Sequence, residues 1–307
     1  MTSLYNKFVN AYCSKHDLLS FRRLYENSWS NIDRGGEVSA IREYLLSPNV
    51  GIDFLNKNIA QKFKGSEFNL KFASVFCHQK PRVTRTVEDK NRNAGDTLSC
   101  ELGDLFVLFL LMDGNDKVHY SSGAIFQAKL RDKLDSKTQR CLYDNDNAYI
   151  LPKYIISGRD LTSSERKMPT YDDGRGKAFR YLILNPEKEV REVKARYTPY
   201  GNNYQLRWST FIDGLIAGTD GLRVDLNTDS PSAWDDVVQD LLWVVNNIKK
   251  GKPARGNNAA SNIATGLFND YTNFSEYSAE FESEYGMIPM MLIIAHAPEH
   301  IDENSRK

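Results

Sequence analysis

The feature that most constrains the fold is an uninterrupted apolar run from Leu105 to Met112. Such a run is too short to cross a membrane and has the length of a strand that is buried on both faces. Asp113, Gly114 and Asn115 follow it, and these are residue types typical of a turn. The pattern therefore predicts a central strand that ends in a tight connection.

A second strand is predicted from Ala124 to Leu130, because apolar and polar side chains alternate there. Gln127 and Lys129 would share one face of this strand with Ile125, and the residues between them would share the opposite face. Asp104 stands immediately before the first strand. Two interpretations remain open: a functional site at the strand ends, or a turn acid beside the solvated face of an edge strand.

The functional interpretation is metal-assisted hydrolysis of a phosphodiester. Mg²⁺ prefers oxygen ligands, which the Asp104 carboxylate, the Gln127 side-chain carbonyl and the Ala128 backbone carbonyl would provide. Lys129 would then lie beside the metal. There its ammonium group would orient the attacking water or neutralise charge that develops on the phosphate.

Asp104, a hydrophobic strand, a turn and Gln127-Ala128-Lys129 resemble the PD-(D/E)xK, restriction-endonuclease-like superfamily, in the variant where Gln replaces the second acid. The resemblance covers roughly residues 70–145. It implies an α/β fold with a mixed sheet and an endonuclease that uses Mg²⁺ or Mn²⁺, with DNA favoured over RNA as substrate. Stand-alone nucleases of this variant resemble effectors of bacterial antiviral defence.

In this superfamily a helix that precedes the sheet often supplies another acid to the metal. Glu37, at the start of a predicted helix, is the candidate for that role, and Glu43, Glu67 and Glu101 are alternatives. For each of them, the competing interpretation is a solvated charge or a helix cap.

Three segments are expected along the chain. Residues 1–64 form an N-terminal helical region that packs on the core, and residues 65–200 form the nuclease-like α/β core. Residues 201–307 form a mainly helical region with a final buried strand at Met287–Ala295. Residues 68–87 are expected to form one long strand.

The predicted long strand ends in a short basic segment, His78 to Arg85. This segment would contact phosphates, or it would be an edge strand whose Lys and Pro discourage unwanted pairing. His78 would be a metal ligand or a structurally satisfied side chain. Tyr143 and Tyr149 are expected near the site, where they would stack on bases or simply pack.

Bulk composition limits the partners. Lys plus Arg and Asp plus Glu each number 40, so any contact with nucleic acid must use a local patch. The four cysteines are scattered without a CxxC pair, which is typical of reduced thiols in a cytoplasmic protein. The N-terminus is too polar for a signal peptide, and no apolar run reaches membrane-span length, so no membrane partner is expected.

A non-catalytic scaffold is the rival interpretation. The same fold would bind a partner protein or nucleic acid without cutting it, and the near-zero net charge favours this alternative. No ATPase motif occurs in the chain, so an ATPase or sensor would be a separate partner subunit. A homodimer is expected only by resemblance, because many such nucleases dimerise to cut both strands.

Overall fold

The computed structural model describes most of the chain as one α/β arrangement. The described residues are 3–15, 18–77, 82–85, 98–131, 139, 142–143, 148–150, 155–156, 159–160, 165–167, 169–170, 172–185, 189–194, 205–248, 263, 278–281 and 288–298. The α-helices within them are α1 (Ser3–Ser14), α2 (Leu18–Asn27), α3 (Glu37–Leu46), α4 (Gly51–Asn58), α5 (Arg175–Ala178), α6 (Trp208–Ile216) and α7 (Ala233–Ile248). A 3-10 turn, Ala60–Phe63, follows α4.

The strands form one large mixed sheet and two smaller sheets. In chain order they are β1 (Asn69–Cys77), β2 (Arg82–Arg85), β3 (Leu98–Glu101), β4 (Leu105–Met112), β5 (Val118–Lys129), β6 (Ala148–Ile150), β7 (Ile155–Ile156), β8 (Arg159–Asp160), β9 (Glu165–Lys167), β10 (Phe179–Ile183), β11 (Arg191–Lys194), β12 (Gln205–Arg207), β13 (Leu222–Arg223), β14 (Ser278–Phe281) and β15 (Met290–His296). The large sheet has the order β12-β11-β10-β5-β4-β15-β1-β14, and β13 pairs with β5.

The centre of the large sheet is β4, which lies between β5 and β15. It runs antiparallel to β5 and parallel to β15, and β10 runs parallel to β5 on the other side. Every residue of β4 is buried, as its apolar run predicted. The final strand, predicted at Met287–Ala295, is confirmed as β15 and lies deep inside the sheet, between β4 and β1.

Helices cover both faces of this sheet, which explains why β4 is apolar throughout. On one face, α1–α4 and α6 pack against alternate residues of β4 such as Val107 and Phe109. On the other face, α7 packs against the intervening residues such as Phe106 and Leu108. Apolar burial on both faces supplies the main stabilisation of such a layered fold.

The expected helical region at residues 1–64 contains α1–α4, and α3 begins at Glu37, as predicted. The segment 201–307 is more mixed than expected, because β12–β15 come from it as well as α6 and α7. The prediction of one strand over residues 68–87 is wrong. The strand β1 ends at Cys77, and β2 belongs to a different sheet with the order β3-β2-β6-β9.

The helix α7 begins with the capping box that its sequence indicates. The Ser232 hydroxyl accepts a hydrogen bond from the Asp235 backbone N–H (3.2 Å), and the Asp235 carboxylate accepts one from the Ser232 N–H (2.8 Å). Two N–H groups that the helix would otherwise leave unpaired are satisfied in this way. The start of α7 is therefore fixed by its own sequence.

A cluster of acids and histidines lies at the turn between β4 and β5, at the opposite end of β4 from Asp104. Burial raises the pKa of Asp113, but hydrogen bonds from His119 and from the Lys117 and Asn115 N–H groups outweigh it and lower that pKa. Burial lowers the pKa of His296, against the opposing effect of nearby carboxylates that include Asp113. The folded state therefore favours neutral His296.

The free energy of unfolding is expected to fall as the pH drops below about 6.5, the ordinary pKa of histidine. Below that pH the unfolded chain binds a proton at His296 that the folded chain resists, so protonation favours unfolding. Urea denaturation on either side of this pH measures the slope. The variant His296→Gln should flatten it, and an unchanged slope in that variant would contradict this assignment.

No helix among the described residues is long and apolar enough to cross a bilayer.

Candidate active site at the β4–β5 edge

The candidate site lies where β4 begins and β5 ends. The antiparallel register pairs Leu105 with Phe126, and the Asp104 N–H donates a hydrogen bond to the Phe126 carbonyl (2.7 Å). This pairing continues the ladder by one residue and brings Asp104 beside Gln127 and Ala128. The position of the acid is thus set by strand register and not by a flexible loop.

The Asp104 carboxylate is held by two donors from β5. Its Oδ2 accepts hydrogen bonds from Gln127 Nε2 and from the Ala128 N–H, the latter at 2.7 Å. Asp104 and Gln127 are each only 1% exposed. Ala128 therefore enters the site through its N–H, whereas the sequence interpretation used its carbonyl oxygen as a metal ligand.

The carbonyl oxygen of the Gln127 side-chain amide is an unsatisfied hydrogen-bond acceptor. Its Oε1 is buried and accepts no hydrogen bond from any described residue. Exchanging the amide oxygen and nitrogen would not satisfy it, because the Asp104 carboxylate only accepts hydrogen bonds and needs the NH₂ group facing it. A buried polar oxygen without a partner costs roughly 1–3 kcal/mol, and such groups often contact a water or an ion.

Lys129 and Glu37 form the outer part of the site. Lys129 Nζ lies 3.7 Å from Glu37 Oε2, and Glu37 Oε1 accepts a hydrogen bond from the Leu130 N–H (3.2 Å). The Lys129 side chain is 14% exposed and that of Glu37 is 33% exposed. Glu37 is the first residue of α3, where a negative charge is favoured by the helix dipole.

The alternating faces predicted for β5 are confirmed. Ile125 packs in the core on the α7 side, while Phe126 and Ala128 pack on the side of the N-terminal helices. Gln127 and Lys129 therefore project with Ile125, as predicted. Lys129 can contact Glu37 because β5 ends at Lys129 and α3 begins beside that strand end.

Of the four acids considered, Glu37 is the one whose side chain meets Lys129. Glu43 instead accepts a hydrogen bond from the Asp33 N–H (3.1 Å). Glu67 is exposed and precedes β1, whose first residue Asn69 pairs with His296 at the opposite edge of the sheet. Glu101 pairs with Arg82 in the sheet formed by β3, β2, β6 and β9.

Tyr143 packs under the site instead of stacking on bases. It is completely buried, stacks obliquely on Tyr181, and donates a hydrogen bond to the Leu102 carbonyl (2.8 Å). Burial, reinforced by the charge of Asp104, raises the pKa of its hydroxyl well above the ordinary value, so it stays a neutral donor. Neither His78 nor the side chain of Tyr149 lies within the described residues.

Sequence reasoning missed Gly103, which directly precedes Asp104. A Cβ at this position would lie 2.4 Å from Ile125 Cγ2 and 3.0 Å from Tyr143 Oη. Only glycine lets the chain pass this close to β5 before Asp104. The signal was present in the sequence as a Gly-Asp pair ahead of the apolar run, but its meaning depends on which residues lie opposite.

The oxygen atoms of the site suit a hard divalent cation. Two carboxylates, Asp104 and Glu37, and the unsatisfied Gln127 Oε1 are available, and Mg²⁺ characteristically binds one or two carboxylates and keeps several waters. Within the described residues, no group of three or more His, Cys, Asp or Glu side chains is arranged to hold a metal. The amide oxygen is thus the third protein donor in this set.

Comparison with known proteins adds no relative. No protein-family model matches the chain, and neither a curated protein nor a solved structure does so significantly. Functional inference therefore depends on the residues and their geometry.

Removing the Asp104 carboxylate is expected to destabilise the fold by about 1–3 kcal/mol, because Asp104→Ala leaves the Ala128 N–H and the Gln127 amide buried without an acceptor. The variant Asp104→Asn should lose less, since its amide oxygen can still accept the Ala128 N–H. Urea unfolding of both variants tests this. Equal stability of Asp104→Ala and wild type would contradict the observed hydrogen bonds.

Proposed function

We propose that this protein is a metal-dependent nuclease with a restriction-endonuclease-like core, hydrolysing nucleic-acid phosphodiesters, with DNA favoured over RNA. The observation that supports it most is that two contacts lie two residues apart near the end of β5: Gln127 with Asp104, and Lys129 with Glu37. These residues come from three elements and include the complete D…QxK set. Their residue types are those that phosphodiester hydrolysis requires.

Asp104, Gln127 through Oε1, and Glu37 would hold Mg²⁺ or Mn²⁺. The bound ion would supply Lewis-acid stabilisation of the phosphate and activation of water. The two hydrogen bonds to Asp104 keep its carboxylate fixed before substrate arrives, which limits reorganisation during the reaction. Lys129 has the charge and partial exposure needed to contact a phosphate oxygen, and Glu37 holds it at the edge.

The biological setting in this proposal is the bacterial cytoplasm, where the chain acts as an antiviral effector. Cys13 and Cys100 are free thiols, which fits a reducing compartment. Any ATPase or sensor would be a separate partner subunit, and a homodimer would allow both strands to be cut.

A nuclease-fold scaffold without catalysis is the second candidate, and one observation favours it. Asp104 and Gln127 are almost fully buried, and Asp104 already accepts two hydrogen bonds, so their contacts also make sense as structural ones. In that case the protein would bind a partner protein or nucleic acid without cutting it.

A cleavage assay separates the two. Purified protein is incubated with supercoiled plasmid, linear duplex, single-stranded DNA and RNA, with Mg²⁺, Mn²⁺ or EDTA. The nuclease proposal expects metal-dependent cleavage that EDTA abolishes and that favours a DNA substrate. Nucleic-acid binding without cleavage under any of these conditions would instead support the scaffold.

A further inference from the structure

A cavity of about 530 Å³ lies between α2 and the start of α6. The residues lining it are predominantly polar, and three of them are arginines. The lining consists of Arg22, Arg23, Glu26, Leu206, Arg207, Ser209 and Thr210. The lining itself thus carries three guanidinium groups against one carboxylate. Asp213 and Glu189 beside the cavity pair with two of these arginines, so the positive charge that a ligand can meet there is that of Arg23.

Two of these arginines are held in place by acids. Arg22 Nε donates to Asp213 Oδ2 (2.7 Å), and Arg207 contacts Glu26 (3.3 Å) and Glu189 (3.2 Å). These contacts orient the guanidinium groups, each of which has five N–H donors.

Arg23 differs from its neighbours because no ion pair joins it to another described residue. It lies on the exposed face of α2, so its guanidinium can bind a ligand without breaking an ion pair with another described residue.

The cavity lies at the same end of the strands as the candidate active site, on the face of the sheet that α2 and α6 cover. Lys129 pairs with Ile183, Ile183 with Arg191, and Arg191 with Arg207, which is a single row across four adjacent strands. Three strand spacings put Arg207 about 14 Å from Lys129.

Arg34 lies between the two places. Leu184 donates a hydrogen bond from its N–H to the Lys129 carbonyl (2.8 Å), and its own carbonyl accepts one from Arg34 Nη1 (2.9 Å). Burial lowers the pKa of Arg34 below that of a free guanidinium, but the side chain stays charged. Positive side chains therefore extend from the candidate site towards the cavity.

We propose that this cavity binds a backbone phosphate of the nucleic acid whose scissile phosphate lies at Lys129. The inference depends on the proposed nuclease function and adds the direction in which the substrate strand runs, from β5 across β10 and β11 to β12. Arginine is suited to this role because its planar fork matches two phosphate oxygens. The start of α6, where no side chain caps the helix, adds a favourable dipole.

The test is a binding titration with a fluorescent duplex, in EDTA so that no cleavage occurs, repeated over a series of salt concentrations. Arg23→Ala and Arg23→Glu remove or reverse the exposed charge without breaking an ion pair between described residues. Lys117→Ala is the matched control, because Lys117 is an exposed cation in the turn at the opposite edge of the sheet.

Arg23→Ala is expected to weaken binding by up to about tenfold, equally for unrelated sequences, and to reduce the salt slope by about one. Arg23→Glu should weaken it further, and Lys117→Ala should bind as wild type does. With metal added, Arg23→Glu should raise KM and leave kcat unchanged, because a phosphate far from the reacting bond affects binding alone.

Three results would overturn the inference. Wild-type affinity and salt slope in Arg23→Glu, with cleavage intact, would remove the phosphate site and leave the nuclease proposal standing. A free nucleotide such as ATP presents the same phosphate chemistry, so ATP binding that depends on Arg23 while duplex binding does not would assign the cavity to a small ligand instead. Absence of both binding and cleavage in wild type would overturn both proposals.

Discussion

Replacing Lys129 with alanine is expected to reduce the rate of metal-dependent cleavage by about 100-fold or more, the usual cost of losing one preorganised electrostatic group at a reacting centre. Lys129 Nζ lies 3.7 Å from Oε2 of Glu37, one of the proposed metal ligands, and this contact keeps it at the end of β5. Single-turnover cleavage with saturating enzyme isolates the chemical step. The expected change is in this rate, with substrate affinity altered far less.

The stability of Lys129→Ala should stay close to that of wild type, because its ion pair with Glu37 is partly exposed and such pairs contribute less than about 1 kcal/mol. This makes it a cleaner test than Asp104→Ala, which also unsettles β5. Lys117→Ala should cleave as wild type does. Cleavage by Lys129→Ala at the wild-type rate would mean that the activity arises elsewhere.

Replacing Asp220 with alanine is expected to destabilise the protein by about 3–5 kcal/mol, because it leaves a buried guanidinium without its counter-ion. Arg180 on β10 is fully buried, and both of its Nη groups donate to the Asp220 carboxylate. Its guanidinium also lies over the ring of Phe211, 4.9 Å from the ring centre. Chemical denaturation measures the free energy of unfolding of this variant against wild type.

Lys57→Ala provides a comparison in which the cation of the ion pair is exposed. Lys57 is 56% exposed and pairs with Asp53 one helical turn away (2.8 Å). The buried Asp53 carboxylate keeps its hydrogen bond from the Asn49 N–H in this variant, so the loss of stability should be smaller than that in Asp220→Ala. The double variant Arg180→Met with Asp220→Ala should recover part of the stability lost in Asp220→Ala alone, since no unpaired charge remains. Equal, small losses for Asp220→Ala and Lys57→Ala would contradict the buried pair.

Local pattern sufficed for the elements that carry the site. The apolar run Leu105–Met112 predicted a strand covered on both faces, and α7 and the N-terminal helices cover it in this way. Alternation fixed the side-chain directions of β5, because a strand has a strict period of two. The contact between Asp104 and Gln127 then followed from the antiparallel pairing of two consecutive strands.

Long-range order was beyond the same reasoning. The strand β15 is separated from β4 by most of the chain, yet it lies beside it, and nothing local specifies which strand occupies that place. The break after Cys77 was missed because residues 82–85 also alternate in a way that suits a strand. Glu37 was named as the further acid from the resemblance, whereas its contact with Lys129 depends on the packing of α3 against the sheet.

The arginine cavity shows the same limit. Arg22 and Arg23 are far in sequence from Arg207, and none of them stands out in a neutral chain. They come together only because α2 packs beside the start of α6 at the edge of the sheet. Proximity of this kind depends on tertiary packing.

The most direct test of the central claim is an equilibrium titration with Mn²⁺ measured by calorimetry. This experiment tests the proposed metal site without relying on a chosen substrate. The account predicts that wild type and Lys129→Ala bind Mn²⁺ similarly, since Lys129 is not a ligand. It predicts that Asp104→Asn, which removes a carboxylate charge while keeping the shape, binds much more weakly. Mn²⁺ affinity that is equal in wild type and Asp104→Asn, or undetectable in both, would contradict the metal site and favour the scaffold.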